Sequence, residues 1–559
     1  MANDVFSPFQ VNYSPLPGCI RDEEICTSKD PRFEMDETGF LDLFSPVFDQ
    51  EAKKGDESFV NVPQINASDD WMQYKDVVLP ISEFSKHLKD KPITSFSMAS
   101  WDLFNNYDKR LRTPREVEEE EDLNDLSNVG EQKLSTGEIL MVAAERFIQF
   151  STNKVDGISM FIHPYGYGSS LSGLFMDDAR DVELVHLLLA SAEYVGTQQF
   201  DLATKLISRC LLMASRDCGT PVQRVAFYFA EALQEKINRD SGRRIMTSNY
   251  SVKEKQGKKG LALGTNNTFL TSHQQLPFFQ VTQFAGIQAI IENVKTAKKI
   301  HLIDLQIRSG IQWTALIQGL ADCPIQRLKI TAVGTCDQKY IEETGKRLLR
   351  FARSLHLPFS FKVVYLTDMT AFKEDVLNIE ADETVAVYSN VILRSMISKP
   401  DMLENLMREI TRLKPALMVV TEVEANHNSP SFVDRFIEAL LFYSAYFDCL
   451  EDCMEKNNEY RSILEGSYFG EGIMDIVGGD GEERITRNVK VDVWRAFFRR
   501  FGMIEMELSE SARYQASLVL KQFAQGSSCT VECNGKGLTV GWKGTPLHSL
   551  TAWNFSLYA

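Results

Sequence analysis

The sequence predicts an α/β fold built on a doubly wound, mainly parallel sheet, with an α-helical cap before it, antiparallel strands at its C-terminal edge and a disordered N-terminal tail. Three observations carry that expectation. Between residues 300 and 423, apolar runs of strand length alternate with amphipathic helical patterns, as repeated βα units do. The strand runs are apolar on both faces, the mark of strands buried in a parallel sheet. Ahead of them lies a block whose apolar positions recur at helical spacing, and ahead of that block the first 130 residues show no sustained periodicity.

The chain of 559 residues exceeds the size at which one hydrophobic core keeps growing, and 44% of it is apolar. Its formal net charge of -17 argues against a general polyanion-binding surface. Ten cysteines without a CxxC pair read as buried thiols of a reducing compartment. Met1 to Gln10 has neither a basic nor an apolar signal region, and no run approaches the roughly 18 apolar residues that span a bilayer. A soluble intracellular protein with no membrane partner is expected.

Residues 1–130 form an acidic regulatory tail on this reading, rich in Asp, Glu, Ser and Pro, with isolated aromatics at Phe33, Phe40, Phe44, Phe48 and Trp71. Single aromatics among acids, as in Met35 to Gln50, suit a short segment that folds on a partner; the plainer reading is a solubilising tail. The run Glu116 to Asp122 is acidic except for Val117 and reads as solvated chain.

Residues 131–285 hold the helical cap. Ser135 caps a first helix with Glu138 at the reciprocal position, and Ile139, Ala143 and Phe147 share one face. Leu184, Leu187 and Leu188 lie on a second helix that Gly196 ends. Ala203, Ile207, Cys210 and Ala214 mark a third, and Pro221 opens a fourth carrying Val222, Ala226, Phe229 and Leu233. Leu184, Leu187 and Leu188 also spell an LxxLL pattern, a helix-in-groove motif that is more often core. A polar loop, Asp240 to Asn267, then brings two basic clusters, Arg243–Arg244 and Lys253 to Lys259, of a kind read by nuclear import machinery.

Residues 286–559 hold the sheet. Candidate strands are Ile300 to Leu305, Leu328 to Val333, Phe361 to Tyr365, Thr384 to Val391 and Ala416 to Val423. Helices between them present Trp313, Leu316, Ile317 and Leu320, then Leu348, Ala352 and Leu355, then Leu403, Leu406, Met407 and Ile410. At the end of the chain Val531 and Cys533 alternate into an Asn534-Gly535 turn and out through Leu538, Val540 and Trp542, an antiparallel hairpin.

Chemistry in such a sheet belongs at the carboxyl end of the first strand, where glycines let the backbone approach a nucleotide. Asp304 stands there. A methyltransferase-type turn places glycines two, four and six residues after the acid; here the positions are Gln306, Arg308 and Gly310, and two side chains fill the space a cofactor needs. The second strand ends in Val333-Gly334-Thr335, with Asp337 the nearest candidate for a ribose-binding acid. Asp304 therefore reads as a capping or hydrogen-bonding residue, and no cofactor is expected. GxSxG, GxxxxGK[ST] and HExxH motifs are missing. Neither Cys449/Cys453 nor Cys529/Cys533 has the second pair a zinc site requires, so no metal or catalytic residue is assigned. His301 reads as a core histidine. Lys346, Arg350 and Arg353 form a stripe that is either a solvated helix face or a candidate phosphate contact.

Taken together, Ile300-His301-Leu302-Ile303-Asp304, with Gln312-Trp313 following, resembles the VHIID motif of the plant GRAS family of transcriptional regulators. The leucine-patterned helices around residues 181–239 resemble that family's first leucine-rich region, and Thr331 to Val364 its second. Pro415, Phe442-Tyr443, and Glu483-Arg484 with Arg487 look like its PFYRE elements. Trp494 with Gly502, and Trp542 with Thr551-Ala552-Trp553, keep the spacing of its SAW motif. The resemblance covers residues 131–559. The tail lacks an Asp-Glu-Leu-Leu-Ala segment, so a gibberellin-repressed DELLA protein is not implied. What it does imply is a nuclear co-regulator, related to methyltransferases in fold but not an enzyme. Such a protein acts through other GRAS proteins, as homo- or heterodimers, and through zinc-finger or other DNA-binding transcription factors, with DNA contacted directly or through them. The alternatives are a sequence-specific DNA-binding factor in its own right and an enzyme using S-adenosylmethionine.

Overall fold

In the computed structural model the described residues are 134–152, 174–242, 268–334, 338–456 and 458–555. The expected tail, the basic clusters between Arg243 and Lys259, and Asp337 lie outside them.

The helical cap begins where the capping signal stands. Ser135 N donates to Glu138 Oε2 at 2.7 Å and Glu138 N to Ser135 Oγ at 3.3 Å, the reciprocal box that opens α1 (Thr136–Thr152). Then follow α2 (Met176–Gly196), α3 (Phe200–Met213) and α4 (Pro221–Asp240), the last capped by the Thr220 hydroxyl with Pro221 at its first turn. Their apolar stripes, including Phe147, Leu188, Ile207 and Phe229, are buried against one another. A further helix, α5 (Pro277–Val294), lies on the sheet itself: a Cβ on its Gly286 would sit 3.1 Å from Val419.

Five strands then run parallel: β1 (Lys299–Asp304), β2 (Arg327–Gly334), β3 (Phe359–Tyr365), β4 (Glu383–Asn390) and β5 (Leu417–Val423). Their order is β3-β2-β1-β4-β5. Winding reverses between β1 and β4, which makes their carboxyl ends the switch point where ligands of such sheets sit. Helices α6 (Gln312–Leu320) and α7 (Gln338–Ser354) cover one face of the sheet, and α8 (Pro400–Leu413) buries Leu403, Leu406, Met407 and Ile410 against the other.

After β5 the chain returns to the cap. The long helix α9 (Phe432–Cys453) is followed by α10, which starts at Glu459–Ile463 and continues through π-helical turns Leu464–Gly470 and Met474–Gly478. The helical layer is thus not confined to residues before 285. Arg224 of α4, 2% exposed, donates to both oxygens of Glu465 at 3.1 Å and pairs with Glu451 at 3.0 Å, locking late residues to early ones. Helix α11 (Val491–Arg500), strand β6 (Met503–Met506) and helix α12 (Glu510–Leu520) lead to the expected hairpin, β7 (Cys529–Asn534) and β8 (Gly537–Trp542).

Two points of the sequence reading change here. Asn534 pairs with Gly537, so the loop is Gly535-Lys536 and not Asn534-Gly535; Gly535 has φ +58° at the first loop position, as a type II′ turn requires. A last strand, β9 (Thr545–Phe555), and its neighbour β6 were not foreseen. β9 pairs antiparallel with β5 on one side and with β8 and β6 on the other, and so joins the hairpin to the parallel sheet. Its His548, Ser549 and Thr551 hide it from an apolar-run criterion, and its burial comes from its position between strands. Among the described residues no helix is long and apolar enough to cross a membrane.

Candidate functional site at the carboxyl ends of the strands

At the end of β1 the Asp304 carboxylate is 1% exposed and fully engaged. Oδ2 accepts from Trp313 Nε1 at 2.8 Å and Oδ1 from Gln306 N at 3.1 Å. Burial pushes this carboxyl up to about 6, against those two hydrogen bonds. Trp313 in turn meets Tyr388 of β4 edge-on, ring centres 4.7 Å apart, across the switch point. Asp304 thus ties the turn to α6 and orients the tryptophan that fills the crevice.

The rest of the turn is closed onto α7. Thr344 Oγ1 donates to the Arg308 carbonyl at 3.1 Å and Arg347 Nη2 to the Ser309 carbonyl at 2.8 Å. Gly310 has φ +62°, and a Cβ there would lie 2.7 Å from Thr344 Cγ2. The Arg308 side chain is buried and donates to Gln306 Oε1 at 3.2 Å. A nucleotide cofactor of the methyltransferase type needs bare backbone at these two positions; the residues present do not fit it. Arg347, which clasps the turn, was missed in the sequence because it lies next to the exposed stripe and carries the same charge.

The remaining VHIID residues are structural in their contacts. Ile300, Leu302 and Ile303 are core, and His301 is 0% exposed between Glu383 (Nδ1, 2.9 Å) and Thr331 (Nε2, 2.7 Å). Burial, with Lys329 nearby, lowers that ring to about 4, so it is neutral.

At the ends of β4 and β5 the fold assembles a buried polar cluster that the sequence reading did not isolate. Glu422, 1% exposed, accepts from Leu393 N at 2.8 Å. Arg394 Nη1 donates to Asn488 Oδ1 at 3.2 Å, and Asn488 Nδ2 meets His427 Nδ1 at 2.8 Å. The His427 ring stacks on Tyr443, with Phe442 edge-on to both. Arg484 closes the group by donating to the carbonyls of His427 and Thr486. Burial drives Glu422 up to about 8, His427 down to about 3 and Arg484 down to about 9. A charged residue inside the apolar run Leu417–Val423 was the one signal that marked the place.

The cluster therefore unites Phe442, Tyr443 and Arg484. It excludes Glu483, which is 77% exposed and pairs with Arg239 at 3.3 Å, and Pro415, which is buried ahead of β5. The SAW residues divide between the two faces of the sheet. Trp494 stacks on Phe498, which meets Trp553 edge-on at 4.9 Å; Trp553 Nε1 donates to Thr551 Oγ1 at 2.9 Å, and Gly502 ends α11 with φ +73°. On the other face, beside buried Ala552, Trp542 Nε1 donates to Asp448 Oδ2 at 2.7 Å, and Thr136 Oγ1 to Asp448 Oδ1 at 2.6 Å, joining hairpin, α9 and α1. Leu184, Leu187 and Leu188 point into the cap, each at most 7% exposed. Lys346, Arg350 and Arg353 do lie on the exposed face of α7, interleaved with Glu342 and Glu343; Lys346 pairs with Glu343 at 2.6 Å.

Comparison with known proteins gives this geometry a context. The GRAS domain family matches residues 184–554. A DELLA protein GAI1 from Vitis vinifera is 31% identical over 383 residues, covering 67% of this chain and 62% of that protein. A DELLA protein RGL1 from Arabidopsis thaliana is 33% identical over 395 residues, covering 69% of this chain and 73% of that protein. The chain thus spans less than two thirds of the length of the grapevine relative. Among solved structures, SCL7 of Oryza sativa superposes with a TM-score of 0.60 at 27% identity, over 66% of this chain and 99% of that one.

Proposed function

This chain belongs to the GRAS domain family of plant regulators, and on that premise we propose that it is a nuclear transcriptional regulator or co-regulator. It acts by binding other GRAS proteins and DNA-binding transcription factors, zinc-finger proteins among them, and it is not an enzyme. The observation that carries this reading is the turn after β1. Where a cofactor enzyme of this architecture keeps glycine, Gln306 and Arg308 bond to each other, and Asp304 is spent on Trp313. A switch point rebuilt in this way holds a rigid scaffold together, and its outer surfaces are left for partners.

Fusing residues 1–130 and 131–559 separately to a DNA-binding module tests the regulatory reading. At least one fusion is expected to change a reporter and to capture transcription factors from nuclei. Failure of both sinks it. The enzyme alternative predicts a thermal shift with millimolar S-adenosylmethionine, and no shift is expected. The second reading, direct DNA contact, is favoured by the exposure of Lys346, Arg350 and Arg353 on one helix face.

A further inference from the structure

β3 is the outermost strand at one end of the sheet: β2 pairs with one of its edges, and among the described residues no strand pairs with the other. The phase of the ladder fixes which backbone groups are left over. Leu328 N donates to the Pro358 carbonyl and Leu366 N to the Gly334 carbonyl, both at 2.9 Å, so the even-numbered residues between 358 and 366 spend their groups on β2. Phe359, Phe361, Val363 and Tyr365 turn their N–H and C=O groups outward. Such an edge is a template for another strand, and folded proteins usually guard it with a proline, a bulge or an outward charge. β3 runs for 7 residues in unbroken register with β2, without proline. Its one charge, Lys362, is folded back, Nζ donating to the Val376 carbonyl at 2.5 Å. The outer strand at the opposite end, β7, carries an exposed Glu532 instead.

Charge and side chains say what would pair there. Phe359, Phe361 and Val363 are half-buried and Tyr365 is 50% exposed, so the edge is apolar and open. Helix α7 lies directly over it: a Cβ on Gly345 would overlap the Phe361 ring. Residues 338–365, which make up α7 and β3, hold 6 Lys and Arg against 2 Glu, in a chain that carries 60 against 77 acids overall. Lys346, Arg350 and Arg353 of that set face solvent. A second copy joined through the same edge would bring two such basic elements together, like charge against like. A phosphate backbone offers acceptors alone, whereas this edge presents carbonyls alternating with N–H groups. The complement is a polypeptide strand rich in acids.

We propose that β3 accepts an extended, acidic segment of a partner protein as an added antiparallel strand. Its backbone bonds to Phe359, Phe361, Val363 and Tyr365, and its carboxylates lie toward Lys346, Arg350 and Arg353. The proposal deepens the regulatory reading above and rests on it only in taking the partner to be a protein. Main-chain bonds supply the affinity of such a site and the basic helix selects the charge, so it admits many sequences of one general pattern.

The test uses the full chain and a fluorescent heptapeptide of alternating valine and glutamate. Binding is expected by anisotropy, together with slowed hydrogen exchange of the β3 amides. N-methylation of alternate peptide amides keeps every side chain and removes the donors that face β3; a loss of affinity on the order of tenfold or more is expected. In the protein, Val363→Pro deletes only an outward N–H, which an edge strand tolerates, and is expected to weaken binding about tenfold while circular dichroism stays unchanged. Lys346→Glu/Arg350→Glu/Arg353→Glu is expected to weaken it as well. No binding at millimolar peptide overturns the proposal. So does equal affinity for the methylated peptide, which would mean charge attraction without strand addition. Duplex DNA that displaces the peptide and is itself lost on the charge reversal gives the surface to nucleic acid and also overturns it. None of these results decides the regulatory reading, which the reporter fusions test independently.

Discussion

Glu422, Asp304 and His427 show how single side chains respond to the position the fold assigns them. The folded chain holds the Glu422 proton up to about pH 8, whereas an unfolded chain releases it near 4.5. Unfolding therefore releases a proton between these values, and stability falls as pH rises through that window. Glu422→Gln is expected to flatten the decline, by on the order of a few kcal/mol between pH 5 and 8, read from urea midpoints at several pH values. An unchanged slope would show that another group sets it. His427 bends the curve the other way, because its ring resists protonation down to about 3 when folded, so stability is lost as pH drops below about 6.5. Asp304→Ala strands the buried Trp313 N–H and is expected to cost about 1–3 kcal/mol. The place of Asp304 was legible, since an acid ending an apolar strand is a local pattern. The roles of Glu422 and His427 were not, because Arg394, Asn488 and Arg484 reach them from distant segments.

At the scale of elements, the same leucines read differently on paper and in the fold. An LxxLL helix that docks a partner keeps its leucines accessible, and α2 buries them in the cap. Leu188→Ala is expected to lower stability by about 2–5 kcal/mol, measured by denaturant unfolding; loss of a partner with unchanged stability would instead support a docking motif. The turn between β1 and α6 offers a cleaner steric test. Gly310→Ala meets both a positive φ and the Thr344 methyl, and about 1–3 kcal/mol is expected to be lost. Thr344→Ser removes the methyl while keeping the hydroxyl that holds the Arg308 carbonyl, so the double variant is expected to recover the steric share but not the backbone share. Five strands, the hairpin and the first four helices were legible because period and capping are local. β6 and β9 were not, since their pairing depends on partners far away in sequence.

For the whole molecule, charge is the property that separates the proposed functions. The net -17 resides almost wholly in the first 133 residues, so the folded region is close to neutral and can carry a local basic stripe. If Lys346, Arg350 and Arg353 contact phosphate, reversing all three weakens DNA binding at every sequence and reduces the salt slope by about one per lost contact. An affinity unchanged by the reversal removes direct contact through α7 and leaves recruitment through DNA-binding partners.

By itself the sequence determined the α/β class, the order of the parallel strands' building units, the capped helices ahead of them and the loss of the glycines at 306 and 308. All of these are written in spacing along a few residues, which propensity and burial convert into structure without outside help. Only the tertiary structure decided that α9 and α10 complete the cap, that β9 joins the hairpin to β5, and that the tryptophans at 494 and 542 serve opposite faces of one sheet. It alone also brought Glu422, His427 and Arg394 together. Those outcomes depend on contacts between segments tens to hundreds of residues apart, and long-range pairing leaves no periodic trace in the chain.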